Sequence, residues 1–353
     1  MSITKVARQA GVSQATVSNV INNRPNVDAQ TAARVRATMA ELGYKPRPVG
    51  QRPGRRPRSA DGIRSGVIAL VWPGADRQPG AQSSIACGLI EGITGELRRR
   101  GLDLKPIFAD EAEPDAFRDD LAAVDGCLVH GTLPESLHDA LRNKPLVWLG
   151  SVGPREWGDR VVCDNAQIGQ DAVQVLFDAG AEELIYANLV PEHPAYRERG
   201  FAFQQASSRR GMQCRELDFP VDQTDADLNQ RARAAAERLV QRFAEATTPE
   251  LAKSGLFVGC DRHAALIERE VRRLGSDAMQ HVPMVACDHD DAALAGLTVR
   301  PTTFEIQPML IGQLAVERLA ARMKSPSQSA GQITVQVPSI RVDPDGTRHP
   351  SGT

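Results

Sequence analysis

Residues 6–22 of this 353-residue chain read VARQAGVSQATVSNVIN, two short segments with apolar residues at helical spacing on either side of Gly11. The pattern predicts one helix over about residues 3–10, which Gly11 ends, and a second over about 14–22, which Ser13 caps. A third helix is predicted from the cap residue Asp28 through Leu42. Two short helices joined by a tight turn and braced by a third form a helix-turn-helix unit.

Such a unit reads DNA with the outward side chains of its second helix. Gln14 and Asn19 can bond adenine edges through paired donor and acceptor groups, and Ala15 can contact a thymine methyl group. Small hydroxyl side chains near the helix N-terminus suit phosphates; these are Ser13, Thr16 and Ser18. The alternative is a generic helical bundle whose polar residues are solvated.

The charge is divided unevenly along the chain. Residues 1–60 carry eleven lysines and arginines against two acids, a formal charge of +9, which leaves −11 on residues 61–353 because the whole chain carries −2. A small basic head on a large acidic body indicates a polyanionic partner for the head alone.

The helix-turn-helix stretch strongly resembles the headpiece of the lactose-repressor/galactose-repressor (LacI/GalR) family of bacterial transcription regulators. The resemblance rests on Val6 to Asn22 and on the spacing to Val27, Arg34, Val35, Met39, Leu42, Gly43, Tyr44 and Pro46. Many family members have arginine where this chain has Asn19, so the DNA half-site is expected to differ there.

The segment after the headpiece departs from the family. The family's hinge helix wedges a leucine into the minor groove, whereas this chain has Gly50 and Pro53, which oppose helix. Two interpretations stay open for the segment: a solvated linker, or an extended arm in a narrow, A·T-rich minor groove. The arm would bind through four arginines: Arg52, Arg55, Arg56 and Arg58.

From residue 66 onward, short apolar strands alternate with helical patterns. Apolar runs occupy about residues 67–71, 126–129, 146–149, 184–187, 255–258 and 282–286. Continuous apolar strands with helices between them predict an α/β fold with parallel sheets covered on both faces. Ligands of such sheets bind at the carboxyl ends of the strands.

The family resemblance extends more loosely over this body. It implies a two-lobed, periplasmic-binding-protein-like domain with three crossovers and a cleft for a small effector. The expected domains are a headpiece at 1–46, an Arg/Pro/Gly-rich linker at 47–65 and an effector-binding and dimerisation domain at 66–353. Lobe 1 is expected at about 66–162 and 291–323, and lobe 2 at about 163–290 and 324–342.

The resemblance also implies effector-binding residues. The family's R-x-x-G arginine and the aspartate after a late strand correspond to Arg197 and Asp288. A guanidinium and a carboxylate facing one cleft suit a polyol. Trp72 could stack on a sugar face, and His130 and Phe219 are further candidates. A structural ion pair, or plain core packing for the aromatic residues, is the alternative.

The sequence therefore predicts a repressor that binds a near-palindromic operator as a homodimer under control of a small effector, a sugar or related polyol. The alternative is a solute-binding receptor. We expect no enzyme, because the common nucleophile and phosphate-loop motifs are missing. Six cysteines without paired spacing or a histidine cluster predict free thiols, no metal and no cofactor. The N-terminus and the lack of a long apolar run predict a cytoplasmic protein without membrane contact.

Overall fold

The computed structural model describes residues 3–21, 27–44, 63–73, 84–150, 157–217, 228–244, 246–324 and 331–350. The chain divides into two compact units, Met1–Arg56 and Pro57–Thr353. Six predicted features lie outside the described residues: Phe219, the arginines Arg52, Arg55, Arg56 and Arg58, and the linker up to residue 62. Among the described helices, none is long and apolar enough to cross a membrane.

The first unit contains three helices: α1 (Ile3–Ala10), α2 (Gln14–Ile21) and α3 (Ala29–Glu41). Gly11 adopts a φ of +66°, which favours glycine and ends α1 as predicted. The Asp28 carboxylate accepts a hydrogen bond from the Thr31 backbone N–H at 2.8 Å and caps α3. Apolar side chains of all three helices form one small core around Val6, Val17 and Val35.

The second unit, here called the body, alternates strands and helices. In chain order these are β1 (Val67–Pro73), α4 (Ser84–Arg99), β2 (Asp103–Ala109), α5 (Pro114–Ala122), β3 (Gly126–His130), α6 (His138–Arg142), β4 (Leu146–Leu149), β5 (Asp159–Cys163), α7 (Asn165–Asp178), β6 (Glu183–Ala187), α8 (Pro194–Arg209), β7 (Gln213–Glu216), α9 (Leu228–Phe243), α10 (Thr248–Leu251), β8 (Ser254–Val258), α11 (Asp261–Arg273), β9 (Met284–Cys287), α12 (Asp291–Leu294), β10 (Thr302–Glu305), α13 (Pro308–Lys324), β11 (Thr334–Val337), β12 (Ile340–Val342) and β13 (Arg348–Pro350).

The strands form two sheets. The first has the order β11-β5-β4-β3-β1-β2 and is parallel throughout. The second has the order β13-β12-β10-β9-β8-β6-β7, with antiparallel pairing where β12 meets β10 and β13. The predicted α/β class with parallel sheets and a three-helix headpiece is confirmed.

Three crossovers connect the sheets within the described residues. The chain leaves the first sheet after β5, returns after β10 and leaves again between β11 and β12. Two hydrogen bonds tie these crossovers together. The Asp164 N–H donates to the Val337 carbonyl at 2.9 Å, and Gln307 Nε2 donates to the Pro338 carbonyl at 2.6 Å.

The sheet membership differs from the expected lobe bounds in two places. β10 pairs with β9 in the second sheet, although residues 291–323 were expected in lobe 1. β11 pairs with β5 in the first sheet, although residues 324–342 were expected in lobe 2. An apolar run predicts a strand but does not specify its partner, because backbone hydrogen bonds set the pairing.

Helices α4 and α13 of the first lobe approach closely at glycine. A Cβ atom on Gly92 would lie 2.0 Å from the Met309 carbonyl oxygen, and one on Gly312 would lie 2.5 Å from the Leu89 carbonyl oxygen. Helices α4 and α13 can therefore pack this closely only because Gly92 and Gly312 have no side chains.

We expect Gly92→Ala to lower the free energy of unfolding by about 1–3 kcal/mol, because the added methyl group forces the two backbones apart. Gly95 is the matched control on the same helix, since a Cβ atom there meets nothing within 4 Å. Gly95→Ala should raise stability by about 0.5–1 kcal/mol through helix propensity. Urea unfolding followed by tryptophan fluorescence measures both, and equal effects of the two substitutions would contradict the close approach.

Candidate DNA-binding surface and effector cleft

The outward face of α2 carries the predicted DNA-binding residues. Gln14 and Ala15 are exposed, and Asn19 is half-buried. The Ser13 hydroxyl accepts a hydrogen bond from the Thr16 N–H at 3.0 Å and lies 2.9 Å from the Thr16 hydroxyl. Ser13 thus caps α2, as its position before the helix predicts. Contacts of these residues and of Ser18 with DNA stay predictions.

A cleft of about 160 Å³ lies in the body, where strand ends of both sheets meet. His130 ends β3, Cys163 ends β5 and Asp288 follows β9, so the first two come from the first sheet and the third from the second. Helices α4 and α13 contribute apolar side chains, including Ile85 and Ile311. The carboxyl ends of the strands therefore face the cleft, where α/β proteins bind ligands.

An arginine from α8 forms the most deeply buried charge in the cleft. Both terminal nitrogens of Arg199 lie 3.4 Å from Asp288 Oδ1, and its Nε donates to Asn165 Oδ1 at 3.0 Å. Its Nη1 also donates to the Gly259 carbonyl at 2.6 Å. Arg199 thereby joins α7, the end of β8 and the end of β9.

Burial and charge act against each other in this pair. Burial raises the pKa of Asp288, while the neighbouring Arg199 charge lowers it. Burial also opposes the charge on Arg199, but nearby acidic groups, Asp288 among them, hold its pKa above the usual range. Arg199 therefore stays charged inside the protein.

This geometry differs from the sequence prediction at the arginine. Arg197 is exposed on α8, whereas Arg199, two positions later, reaches the cleft. Residues two apart on a helix point about 200° apart, so only one of them can face inward. The buried residues Ala195, Ala202 and Phe203 lie at helical spacing from Arg199, and this periodicity could have identified it.

His130, which the sequence placed at the end of a strand, lines the cleft. Trp72 packs against the His130 ring. The ring centroids of Trp72 and His130 are 4.6 Å apart. Trp72 belongs to a buried apolar cluster with members in both sheets and is not among the residues that line the cleft. Burial, with a contribution from His193, lowers the pKa of His130 to about 4, so the imidazole is neutral at pH 7.

Besides Arg199, three polar residues of the cleft were missed from the sequence: Cys163, His193 and Tyr196. The rings of His193 and Tyr196 stack with centroids 4.2 Å apart, and the Arg199 guanidinium carbon lies 5.5 Å from the Tyr196 ring centre. Burial lowers the pKa of His193 to about 4, and its Nδ1 is buried without a hydrogen-bond partner. Single aromatic residues at a helix start carry no pattern that separates a cleft position from a surface one.

The backbone at Asp288 and His289 has positive φ values of 101° and 53°. Such conformations cost about 1–3 kcal/mol each in residues other than glycine and persist where the surroundings enforce them. The Asp288 N–H donates to the Phe304 carbonyl at 2.7 Å, and the His289 N–H donates to the Thr303 hydroxyl at 3.3 Å. These bonds to β10 hold the Asp288 carboxylate towards Arg199.

A helix-turn-helix unit joined to a two-sheet body with a cleft at its strand ends defines a DNA-binding regulator of the periplasmic-binding-protein-like type. Comparisons with known families agree. The family described as bacterial regulatory proteins, lacI family, matches residues 2–47, and the periplasmic binding protein-like domain matches residues 173–342. The chain belongs to the LacI family of bacterial transcription regulators.

Full-length relatives support the assignment. The chain is 24% identical to catabolite control protein A of Priestia megaterium, over 96% of each chain. It is 27% identical to the HTH-type transcriptional regulator PtxS of Pseudomonas aeruginosa, over 100% of this chain and 97% of that one. A solved structure of a transcriptional regulator CelR–cellobiose complex shares the fold, with a TM-score of 0.63, 22% identity and coverage of 97% and 99%. Since the relatives are regulators, DNA-binding regulation is favoured over the solute-receptor alternative.

Proposed function

We propose that this protein is a transcriptional repressor that binds a near-palindromic operator as a homodimer and is controlled by a small effector, a sugar or related polyol. Its DNA target places its action in the cytoplasm. Gln14, Ala15 and Asn19 read bases, and Ser13, Thr16 and Ser18 bind phosphates. Two headpieces in a twofold dimer match two half-sites of one operator.

One observation supports effector control: the cleft is lined from both sheets. His130 belongs to the first sheet, while Arg199 and Asp288 belong to the second lobe. A ligand that contacts both lobes binds one lobe arrangement better than another and shifts the population towards it. The crossovers carry such a change, because they are the connections between the lobes.

Selection of bound DNA from a random pool tests the proposal. The full-length protein should recover a motif with two inverted half-sites, and addition of a panel of sugars should identify one that lowers its retention. Recovery of DNA without an inverted repeat would overturn the proposed homodimeric operator complex. Retention that no member of the panel changes would count against a polyol effector.

The arginine-rich segment gives a separate prediction. If Arg52, Arg55, Arg56 and Arg58 bind DNA, replacing all four with alanine should weaken operator binding and reduce its dependence on salt. The plot of log K against log salt concentration has a negative slope, and each lost phosphate contact makes it shallower by about 0.9. Filter binding from 50 to 300 mM salt measures the slope, and an unchanged slope would favour the solvated linker.

A further inference from the structure

Apart from the Arg199–Asp288 pair, the polar side chains of the cleft can all donate a hydrogen bond. Within the described residues, the polar groups of the cleft belong to six side chains: His130, Cys163, His193, Tyr196, Arg199 and Asp288. Asp288 is the single carboxylate among them, and its Oδ1 already accepts from Arg199. The two imidazoles, the Tyr196 hydroxyl and the Cys163 thiol can each donate a hydrogen bond, and a carboxylate only accepts them.

The imidazoles of His130 and His193 enter the cleft from different lobes. His130 packs against the Trp72 ring, with ring centroids 4.6 Å apart. His193 is held by stacking on Tyr196. Each imidazole therefore packs against one aromatic ring of its own lobe.

One ring nitrogen of His193 also has no hydrogen-bond partner among the described residues. Its Nδ1 is buried and accepts or donates no hydrogen bond within the protein. A buried polar atom without a partner costs free energy, which a ligand can recover. The Arg199–Asp288 ion pair also lines the cleft, and the charges of its two members compensate each other.

We propose that the effector of this cleft carries a carboxylate, which His130 and His193 bind from opposite lobes with uptake of a proton. This inference rests on the effector-controlled function proposed above and assigns a charged group to the effector. A carboxylate beside two imidazoles favours their charged form, and an imidazolium donates a charge-assisted hydrogen bond to it. The ligand then joins the lobes through a histidine from each.

The direction of the pH dependence follows from the groups around the histidines. His193 faces Glu192, Arg199 and His263, and His130 faces His193. Burial keeps the pKa of both histidines near 4 without ligand, and an anion raises it. Asp288, whose pKa is already raised, would also take up a proton beside an anion. Affinity for a carboxylate therefore rises as pH falls, by up to about tenfold per pH unit for each proton.

Calorimetry on the full chain tests this with acid–alcohol pairs: D-gluconate with D-glucitol, D-glycerate with glycerol, and benzoate with benzyl alcohol. At least one acid should bind ten times or more tightly than its alcohol. Its binding heat should differ between phosphate and Tris buffers at pH 7 by the amount that proton uptake requires. The sugar acids and benzoate separate a hydroxylated ligand from an apolar one. Equal affinities within every pair, or no bound acid, would overturn the proposal.

Variants locate the proton. His130→Gln and His193→Gln keep a hydrogen-bonding side chain but cannot take up a proton, so each should reduce the buffer difference and flatten the pH dependence. His281→Gln is the control, because His281 lies outside the cleft. Full proton uptake in the double variant would overturn the role of the histidines. The buffer test on the unaltered chain needs no variant, and a failed operator selection would leave it intact.

Discussion

Replacement of Arg199 by methionine is expected to lower the free energy of unfolding by about 3–5 kcal/mol at pH 8. The substitution leaves the Asp288 carboxylate buried without its counter-charge, and such a loss costs about that much. It also removes the hydrogen bonds that Arg199 donates to Asn165 Oδ1 and to the Gly259 carbonyl. Urea unfolding followed by the fluorescence of Trp72, Trp148 and Trp157, all in the body, measures the change.

The penalty is expected to shrink as the pH falls. Burial already raises the pKa of Asp288 in the intact protein, and without Arg199 nothing in the pair lowers it. A carboxyl whose folded pKa is raised stabilises the folded state below its unfolded pKa, near 3.9, and loses that contribution as pH rises to its folded pKa. The variant should therefore come closest to the unaltered protein near pH 4 and fall furthest behind above the raised pKa.

A second substitution separates charge from packing. Asp288→Asn removes the charge that Arg199→Met leaves uncompensated, so the double variant should be more stable than Arg199→Met alone at pH 8. It should also lose the added pH dependence. A penalty that is the same at pH 4.5 and pH 8 would mean that Arg199 stabilises the protein through packing rather than through Asp288.

The sequence predicted the headpiece helices and the apolar strands of the body, but not how the strands pair. The helices of the headpiece follow from Gly11, Ser13 and Asp28, because a turn glycine and two caps act locally. Six strands of the body follow from apolar runs, namely β1, β3, β4, β6, β8 and β9, while the more polar strands were not predicted. The pairing of β10 and β11 does not follow from such runs, since it depends on where the crossovers direct the chain and not on the composition of the strands.

The cleft shows the same division between local and non-local information. His130 was predicted because it stands at the end of an apolar strand, and Asp288 was predicted from the family resemblance. The choice between Arg197 and Arg199 depended on which face of α8 points inward. The family resemblance suggested Arg197, whereas the spacing of the buried residues on α8 indicates Arg199. His193 gave no local signal, because nothing in the sequence around it indicates that its ring stacks on Tyr196.

Replacement of Gln14 by alanine is expected to weaken operator binding by about 1–3 kcal/mol per half-site, or roughly 2–6 kcal/mol for a dimer that reads two half-sites. Gln14 is exposed at the start of α2, and its amide can donate to and accept from one adenine. The loss should fall on specificity as well as affinity. Fluorescence anisotropy with the selected operator, at one fixed salt concentration, measures the affinity.

Specificity distinguishes a base-reading role from a loss of structure. Repeating the random-pool selection with Gln14→Ala should relax the preference at one symmetry-related pair of positions and leave the rest of the motif unchanged. Gln9→Ala is the matched control, because Gln9 is equally exposed but lies on α1, which does not enter the groove in helix-turn-helix complexes. A uniform weakening with an unchanged motif would assign Gln14 to the phosphate backbone, since phosphate contacts carry no direct sequence information.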